Sequence, residues 1–234
     1  MENLKYPIRI NKYLAIQKIC SRREADFLIS QKKVKINGRP AVLGDKVNEK
    51  DKVTVENYNK EFFYLAFNKP KGVLTYSPDR KELEIANILR TSKKVFPIGR
   101  LDKDSSGLII LTNDGRITDR LLNPENVHEK EYVVDLDKAM EGDFIKKMSD
   151  GVRLDDGYIT QKCQVKKISR KSFSIILTEG KKRQIRRMCG ALGYGVIDLK
   201  RIRILNISLG QLHPGEFRNI KGEELHQFLS ALSL

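Results

Sequence analysis

The chain has 234 residues, with 45 Lys and Arg against 30 Asp and Glu, for a formal net charge of +15. This length suits one medium-sized domain and one small domain, and the strong positive charge indicates a polyanionic partner, usually nucleic acid. The sequence contains no apolar run of membrane-spanning length and no signal-peptide core, so we expect a cytoplasmic protein with no membrane partner.

The positive charge is concentrated in two segments. Residues 1–40 contain ten Lys and Arg against three acids, a net of +7, and residues 162–203 contain thirteen against two, a net of +11. A charge that is merely needed for solubility would be spread along the chain. The clustering therefore favours two nucleic-acid-binding surfaces.

The N-terminal segment shows the pattern of two short helices and a small sheet. Residues 8–20 have a helical apolar pattern, and Ser21–Glu24 form a capping box that predicts the start of a second helix. Residues 34–36 and 53–55 are β-branched strand candidates. Asn37-Gly38 is a strong signal for a hairpin turn between strands.

Three stretches of this segment, RINKYLA, CSRREAD and KVKINGRPA, resemble the αL RNA-binding domain found in a small-subunit ribosomal protein and in many RNA-modifying enzymes. The resemblance implies an RNA-binding domain over residues 1–58, followed by a linker near residues 57–60. The alternative is a structural module with a solvated basic face. The RNA contacts that we expect from this domain are Arg9, Lys12, Arg22, Arg23, Lys32, Lys33, Lys35 and Arg39.

The stretch GRLDKDSSGLIILTNDG, residues 99–115, is central to the rest of the chain. A polar loop carries Arg100, Asp102 and Asp104, and the apolar run 108–112 that follows predicts a buried strand. A carboxylate just before a rigid strand has little positional freedom, as catalysis requires. The alternative is that both aspartates only bind nearby backbone amides.

The remaining pattern is mixed α+β, with mostly hairpin-connected strands and helices inserted between them. We expect a mainly antiparallel sheet with flanking helices. The predicted strands are 62–67, 73–75, 108–112, 131–136, 161–168, 172–178 and 202–209, and the predicted helices are 82–89, 116–122, 142–148 and 223–232.

A strand-to-helix junction at residues 179–189 contains five cations within seven residues. Such a cluster at a helix start opposes the helix dipole, which is tolerated where phosphates or a buried carboxylate compensate. A solvated helix end is the alternative for Lys181 and Lys182. The helical spacing predicts that Arg186 turns toward the interior.

Four motifs in order, NKPKG, GRLDKDSSGLIILTNDG, EKEY and GKKRQIRRM, resemble the RNA pseudouridine synthases. With the αL domain, the resemblance is to the branch that acts on ribosomal RNA, and most closely to the ribosomal large subunit pseudouridine synthase F group. It implies a catalytic domain over residues 62–234 and a reaction without metal or cofactor. Some members continue in a long basic tail beyond the position matching Leu234, so an accessory RNA contact stays open.

The same resemblance assigns residue roles. Asp102 would be the essential carboxylate, Tyr132 would stack on the flipped base, and Arg186 would be the cationic partner of Asp102. A core tyrosine is the alternative for Tyr132, and loop support is the alternative to phosphate binding for Arg100. The further RNA contacts that we expect are Arg100, Lys181, Lys182 and Arg183. We expect a monomer that acts on large-subunit rRNA, with small-subunit rRNA or tRNA as alternatives.

Two other classes of protein compete with this interpretation. A non-catalytic ribosome-assembly protein would explain the charge, but not an acidic loop tied to a buried strand. A metal-dependent nuclease would need more ligands than Asp102 and Asp104, and His128, His213 and His226 are scattered. The three cysteines, Cys20, Cys163 and Cys189, form no CxxC pair, so we expect reduced thiols and no zinc site.

Overall fold

The computed structural model describes residues 5–56, 58, 60–76 and 82–234. The N-terminal unit consists of two helices on small sheets. Ser21 caps the second helix, because its Oγ accepts a hydrogen bond from the Glu24 N–H at 3.3 Å, which confirms the predicted helix start. The elements are β1 (Ile8–Arg9), α1 (Ile10–Ile16), α2 (Arg22–Ser30), β2 (Val34–Ile36), β3 (Arg39–Pro40), β4 (Lys46–Val47) and β5 (Val53–Val55).

The predicted hairpin is also confirmed. β2 and β3 pair antiparallel around Asn37-Gly38, with positive φ at both turn residues, and β5 pairs antiparallel with the other edge of β2. The core of this unit is apolar and includes Ile10, Leu14 and Cys20. The linker expected at residues 57–60 lies partly outside the described residues.

The second unit has one large, mainly antiparallel sheet with flanking helices, as predicted. Its order is β10-β11-β9-β12-β8-β6-β14, where β7 also pairs with β8 and β13 with β12. The elements are β6 (Tyr64–Lys69), α3 (Ile85–Ile88), β7 (Phe96–Ile98), β8 (Ser106–Thr112), α4 (Ile117–Leu122), β9 (Lys130–Leu136), α5 (Phe144–Asp150), β10 (Gln164–Lys167), β11 (Ser172–Leu177), α6 (Gln184–Ala191), β12 (Val196–Ile204), β13 (Ile207–Ser208), β14 (Phe217–Asn219) and α7 (Gly222–Ala231).

Two strand predictions are wrong. Residues 73–75 do not return along β6, because β8 and β14 already occupy both edges of that buried strand, and Leu74 forms only an isolated bridge to Glu84. The strand expected at 202–209 begins at Val196 instead. It ends where Leu205 adopts a left-handed φ of 50° and turns the chain into β13.

The buried strand β8 lies inside the sheet, between β12 and β6, and Leu108, Ile109 and Ile110 are fully buried. β8 runs parallel to β12, and at Gly107 the two backbones approach so closely that a Cβ would lie 2.2 Å from the Arg201 carbonyl oxygen. Gly107 also has a φ of 103°, which L-residues rarely adopt. This contact fixes the start of β8, and with it the loop that carries Asp102.

Arg116 joins the two units. Its Nε and Nη2 each bind the buried carboxylate of Asp114 at 2.8 Å, and Nη1 donates to the Lys18 carbonyl oxygen at 3.1 Å. Tyr64 donates its phenolic hydrogen to Asp114 at 2.5 Å. Among the described residues, no helix is long and apolar enough to cross a membrane.

Candidate active site

A cleft of about 500 Å³ opens between the loop before β8, the strands β9 and β12, and the start of α6. Asp102 and Tyr132 both line it, together with Arg100, Lys181 and Arg183. These residues come from widely separated parts of the sequence. The fold therefore brings three of the four sequence motifs to one concave site, and active sites usually lie in such clefts.

The loop carrying Asp102 is tightly held. The Leu101 N–H donates to Thr75 Oγ1 at 3.0 Å, and Thr75 Oγ1 donates to the Leu101 carbonyl at 2.9 Å. The Asp102 carbonyl accepts from the Ser105 N–H at 3.1 Å. The Asp102 side chain is 37% exposed, so its carboxylate remains accessible from the cleft while its backbone is fixed.

Asp102 and Asp104 share Arg183 as a cationic partner, but Asp104 binds it more closely. Arg183 Nη1 lies 3.7 Å from Asp102 Oδ2, whereas Arg183 binds Asp104 through two hydrogen bonds of 3.1 and 2.9 Å. Hydrogen bonds from Arg183 lower the pKa of Asp104, partly opposed by burial and helped by the charge of Arg186. Asp104 therefore contributes to the structure of the loop.

The predicted pairing of Arg186 with Asp102 is wrong, because Arg186 pairs with Asp104 instead. Arg186 does turn inward, and its side chain is 13% exposed. Its Nε lies 3.3 Å from Asp104 Oδ2, and its Nη2 donates to the Asp104 carbonyl at 2.9 Å. Its Nη1 donates to the Val196 carbonyl at 3.0 Å. Through these two hydrogen bonds, Arg186 joins the loop that contains Asp104 to the start of β12.

The junction before α6 is held by a buried carboxylate. Glu179 accepts from Gln184 Nε2 at 2.5 Å, from the Gln161 N–H at 3.0 Å and from the Tyr158 hydroxyl at 2.5 Å. Lys181 Nζ lies 4.4 Å from the centre of the Tyr158 ring. These hydrogen bonds to Glu179 hold the junction so that the basic residues after it line the cleft.

Most of the predicted RNA-binding side chains are exposed. Three of them have carboxylate partners: Lys35 pairs with Glu56 at 2.6 Å, Arg39 with Asp45 at 2.9 Å, and Arg183 with Asp104. Surface pairs of this kind are worth little, so phosphates can compete for these cations. The exposed members without an ion pair to a described residue are Arg9, Lys12, Arg22, Arg23, Lys32, Lys33, Arg100, Lys181 and Lys182.

Three cations in or near the cleft, of which two are buried and Lys130 is half-buried, were not anticipated from the sequence. Lys69, Lys130 and Arg201 come from β6, β9 and β12, and Lys130 and Arg201 line the cleft itself. Burial lowers the pKa of Lys69 to about 8, and its Nζ donates to the carbonyls of Pro70 and Val73. A signal for Lys130 was present, because residues two apart on a strand share a face and Lys130 precedes Tyr132 by two.

The described residues contain no group of three or more His, Cys, Asp and Glu side chains placed to hold a metal ion. As expected, the three cysteines are free thiols, with Cys20 and Cys189 buried and Cys163 half-buried. Burial raises the pKa of Cys20 to about 12, so this thiol is protonated at neutral pH.

A small basic unit joined to a sheet domain with an acidic residue in a basic cleft fits the class of RNA-modifying enzymes. Comparison with known families supports this assignment. The family model for RNA pseudouridylate synthase matches residues 63–191, and the S4 domain model matches residues 8–53. The chain therefore belongs to the RNA pseudouridylate synthases, enzymes that isomerise uridine in RNA.

Relatives agree with that family. The chain is 45% identical to the dual-specificity RNA pseudouridine synthase RluF of Escherichia coli K12 over 224 residues, covering 93% of this chain and 77% of the relative. It is 35% identical to ribosomal large subunit pseudouridine synthase B of Bacillus subtilis, covering 93% of each. A crystal structure of a pseudouridylate synthase matches with a TM-score of 0.71 at 28% identity, covering 94% of this chain and 99% of that one.

Proposed function

We propose that this chain converts a specific uridine of large-subunit ribosomal RNA to pseudouridine, with Asp102 as the essential carboxylate. The observation that carries the proposal is that Asp102 and Tyr132 line the same cleft. The reaction breaks the bond between the ribose and a ring nitrogen, turns the base, and rejoins it through a ring carbon. It needs a flipped base, a carboxylate beside the sugar and a pocket that limits water.

Each proposed role has a structural basis. The hydrogen bonds that hold the backbone around Asp102 restrict the freedom of its carboxylate, so part of the entropy of positioning is already lost before substrate binds. Tyr132 presents a half-buried ring on a rigid strand, a surface on which a base can stack. Arg186 acts as a positioning residue, because it holds the loop through Asp104 and not through Asp102.

The basic surfaces would bind the RNA outside the reacting base. We assign residues 1–58 to the accessory RNA-binding domain and residues 62–234 to the catalytic domain, and we expect a monomer to suffice because one chain supplies both surfaces. The target should lie in a loop, bulge or junction, since a base inside a continuous A-form helix is inaccessible. One relative also supports the substrate class, since the Bacillus subtilis enzyme is named for the large ribosomal subunit.

The test is pseudouridine mapping in a strain that lacks this gene, complemented with wild type, Asp102→Asn or Asp143→Asn. Asp143 is an exposed residue paired with Lys147 outside the cleft, so it matches the charge change without touching the site. One large-subunit site should disappear on deletion and return with wild type and Asp143→Asn only. Purified Asp102→Asn should keep less than about a hundredth of wild-type turnover, because acid–base and nucleophilic groups contribute about 10²–10⁴-fold.

Two results would contradict the proposal. A site found only in small-subunit rRNA or tRNA would overturn the substrate, and an active Asp102→Asn enzyme would overturn the catalytic residue. All three RNA classes must be mapped, because the relative RluF is named a dual-specificity enzyme. A second site in tRNA beside the large-subunit site would extend the proposal to two substrates.

A further inference from the structure

Two cations on the inner wall of the cleft have no carboxylate partner among the described residues. Arg201 is 4% exposed, its Nε donates to the Leu108 carbonyl at 2.7 Å, and its Nη2 is buried without a hydrogen-bond partner in the described chain. Lys130 Nζ donates to the His128 carbonyl at 3.0 Å. The glutamates on either side of Lys130 do not neutralise it, since both bind Arg203, at 3.0 and 2.8 Å.

Placing the buried Arg201 and the half-buried Lys130 in one wall of the cleft is unfavourable unless a ligand compensates for their charges. Burial, and then the charge of Arg201, lower the pKa of Lys130 to about 8. Hydrophobic residues of similar size would fill this wall at no electrostatic cost. Unpaired buried charges in a cleft are characteristic of functional sites, because they are retained for what they bind. The geometry indicates an anionic or strongly electron-rich ligand.

The position of the two cations shows which part of the substrate they would meet. Lys130 and Tyr132 are two apart on β9, so they share a face, and Arg201 lies directly opposite Tyr132 in the pairing of β9 with β12. A base stacked on Tyr132 would have its edge beside these cations. Backbone phosphates are bulky and stay near the rim, where exposed cations such as Lys182 lie, whereas a flipped base is the part of RNA that enters most deeply.

We propose that Lys130, supported by Arg201, stabilises the negative charge that the uracil carries between its detachment from the ribose and its reattachment. This inference rests on the proposed role of the cleft. When the bond from ribose C1′ to N1 breaks, its electron pair moves onto the ring and is shared by N1, O2 and O4. The Lys130 ammonium then donates a hydrogen bond to a carbonyl oxygen without losing its proton. The ribose C1′ is left electron-deficient beside the carboxylate of Asp102. When an electron pair of the uracil anion forms the new bond from C5 to C1′, the C5 proton passes to water and N1 takes a proton from water, so the isomer forms with no net change in atoms or electrons.

Such a cation is preorganised where charge develops, and removal of one such donor typically costs 10²–10³-fold in rate. The experiment compares Lys130→Met, Lys130→Arg and Lys167→Met in single-turnover reactions on the rRNA target, with the dissociation constant measured separately. Lys167 is an exposed lysine of the edge strand β10 that does not line the cleft. We expect Lys130→Met to lower the saturated rate by about 10²–10³-fold. The RNA affinity of Lys130→Met and its salt dependence should stay within twofold of wild type. The saturated rate of Lys130→Arg should be at least tenfold higher than that of Lys130→Met.

Other results would overturn the inference. A weaker affinity with a log–log salt slope reduced by about 0.7, at an unchanged saturated rate, would show that Lys130 binds a phosphate. An unchanged rate in Lys130→Met, or an equal loss in Lys167→Met, would remove the catalytic role. If Lys130→Met does not fold, a folded Lys130→Arg with less than about a hundredth of the wild-type rate would contradict stabilisation by a positive charge. An active Asp102→Asn in the same assay would contradict the proposed function instead, so the two failures are distinguishable.

Discussion

Arg183 binds both carboxylate oxygens of Asp104 while its own backbone is in the left-handed region, at a φ of 52°. That conformation costs a non-glycine residue about 1 kcal/mol. The bidentate contact holds the first turn of α6 against the loop that contains Asp102. The basic junction before α6 and the acidic loop before β8 therefore hold each other in place, although 79 residues separate Asp104 and Arg183 in sequence.

Arg186→Met should lower the rate of isomerisation much more than RNA affinity. The change removes the hydrogen bond to the Asp104 carbonyl and the one to the Val196 carbonyl, so the loop loses its anchor to β12. We expect at least a tenfold loss in the single-turnover rate, because a misplacement of about 1 Å can cost about 10²-fold. Arg187→Met is the matched control, since Arg187 pairs with Asp155 and Asp156 away from the cleft. A loss of rate no larger than that of Arg187→Met, or a loss of RNA affinity as large as the loss of rate, would contradict a positioning role for Arg186.

Replacing Lys32 and Lys33 together with methionine should have the opposite effect. Both side chains are exposed on the N-terminal unit, so they can contact phosphates but not the reacting base. Affinity should weaken and the salt dependence should become shallower, by about 0.7 in log–log slope for each lost contact on single-stranded RNA. The saturated rate should be preserved. Filter binding at several salt concentrations measures this, and an unchanged slope would show that these lysines make no phosphate contact.

Asp114→Asn should destabilise the protein at neutral pH by about 2 kcal/mol, because it leaves the half-buried guanidinium of Arg116 without its charge partner. Burial alone would raise the pKa of Asp114, but hydrogen bonds from Arg116 and Tyr64 hold it below its usual value. A lowered folded-state pKa stabilises the protein above the unfolded value of about 3.9, and this stabilisation is lost as the pH falls through the folded value. Urea midpoints should therefore differ at pH 7 and converge toward pH 3. A difference that grows on acidification would contradict the assignment.

Gly107→Ala should be more harmful than its size suggests. The new Cβ would lie 2.2 Å from the Arg201 carbonyl oxygen at a φ that disfavours side chains, so β8 must separate from β12. We expect a loss of about 3 kcal/mol, since strain and lost pairing combine. Gly190→Ala is the control, because Gly190 lies in α6 with no atom near the added Cβ, and alanine there should stabilise by about 0.5–1 kcal/mol. Similar melting temperatures for the two variants would contradict the close approach.

Local signals predicted much of this fold. The cap at Ser21, the Asn37-Gly38 turn and the buried strand after Asp102 depend on short-range chemistry that the sequence states directly. The failures concern pairing at long range. The segment at 73–75 looked like a returning strand because nothing local reveals that β14, about 150 residues later, takes the free edge of β6.

The site shows the same division. The motifs placed Asp102 and Tyr132 in one cleft, but the partner of Arg186 depended on how α6 meets the loop, which no periodicity encodes. Arg201 was missed because a single arginine in a basic stretch looks like one more surface cation. Only the packing of β12 between β8 and β9 shows that it is buried.

The contact of Arg116 with the Lys18 carbonyl has a consequence for how RNA is found. Because it fastens the N-terminal unit to the sheet domain, an RNA held by the first surface meets the cleft as a tethered ligand, at an effective concentration set by geometry and not by diffusion. The fixed spacing between the N-terminal unit and the cleft also selects by distance. A uridine at the wrong distance from the RNA element bound by the N-terminal unit cannot reach the cleft. Selectivity for one nucleotide in a long RNA can then arise from two individually undemanding interactions.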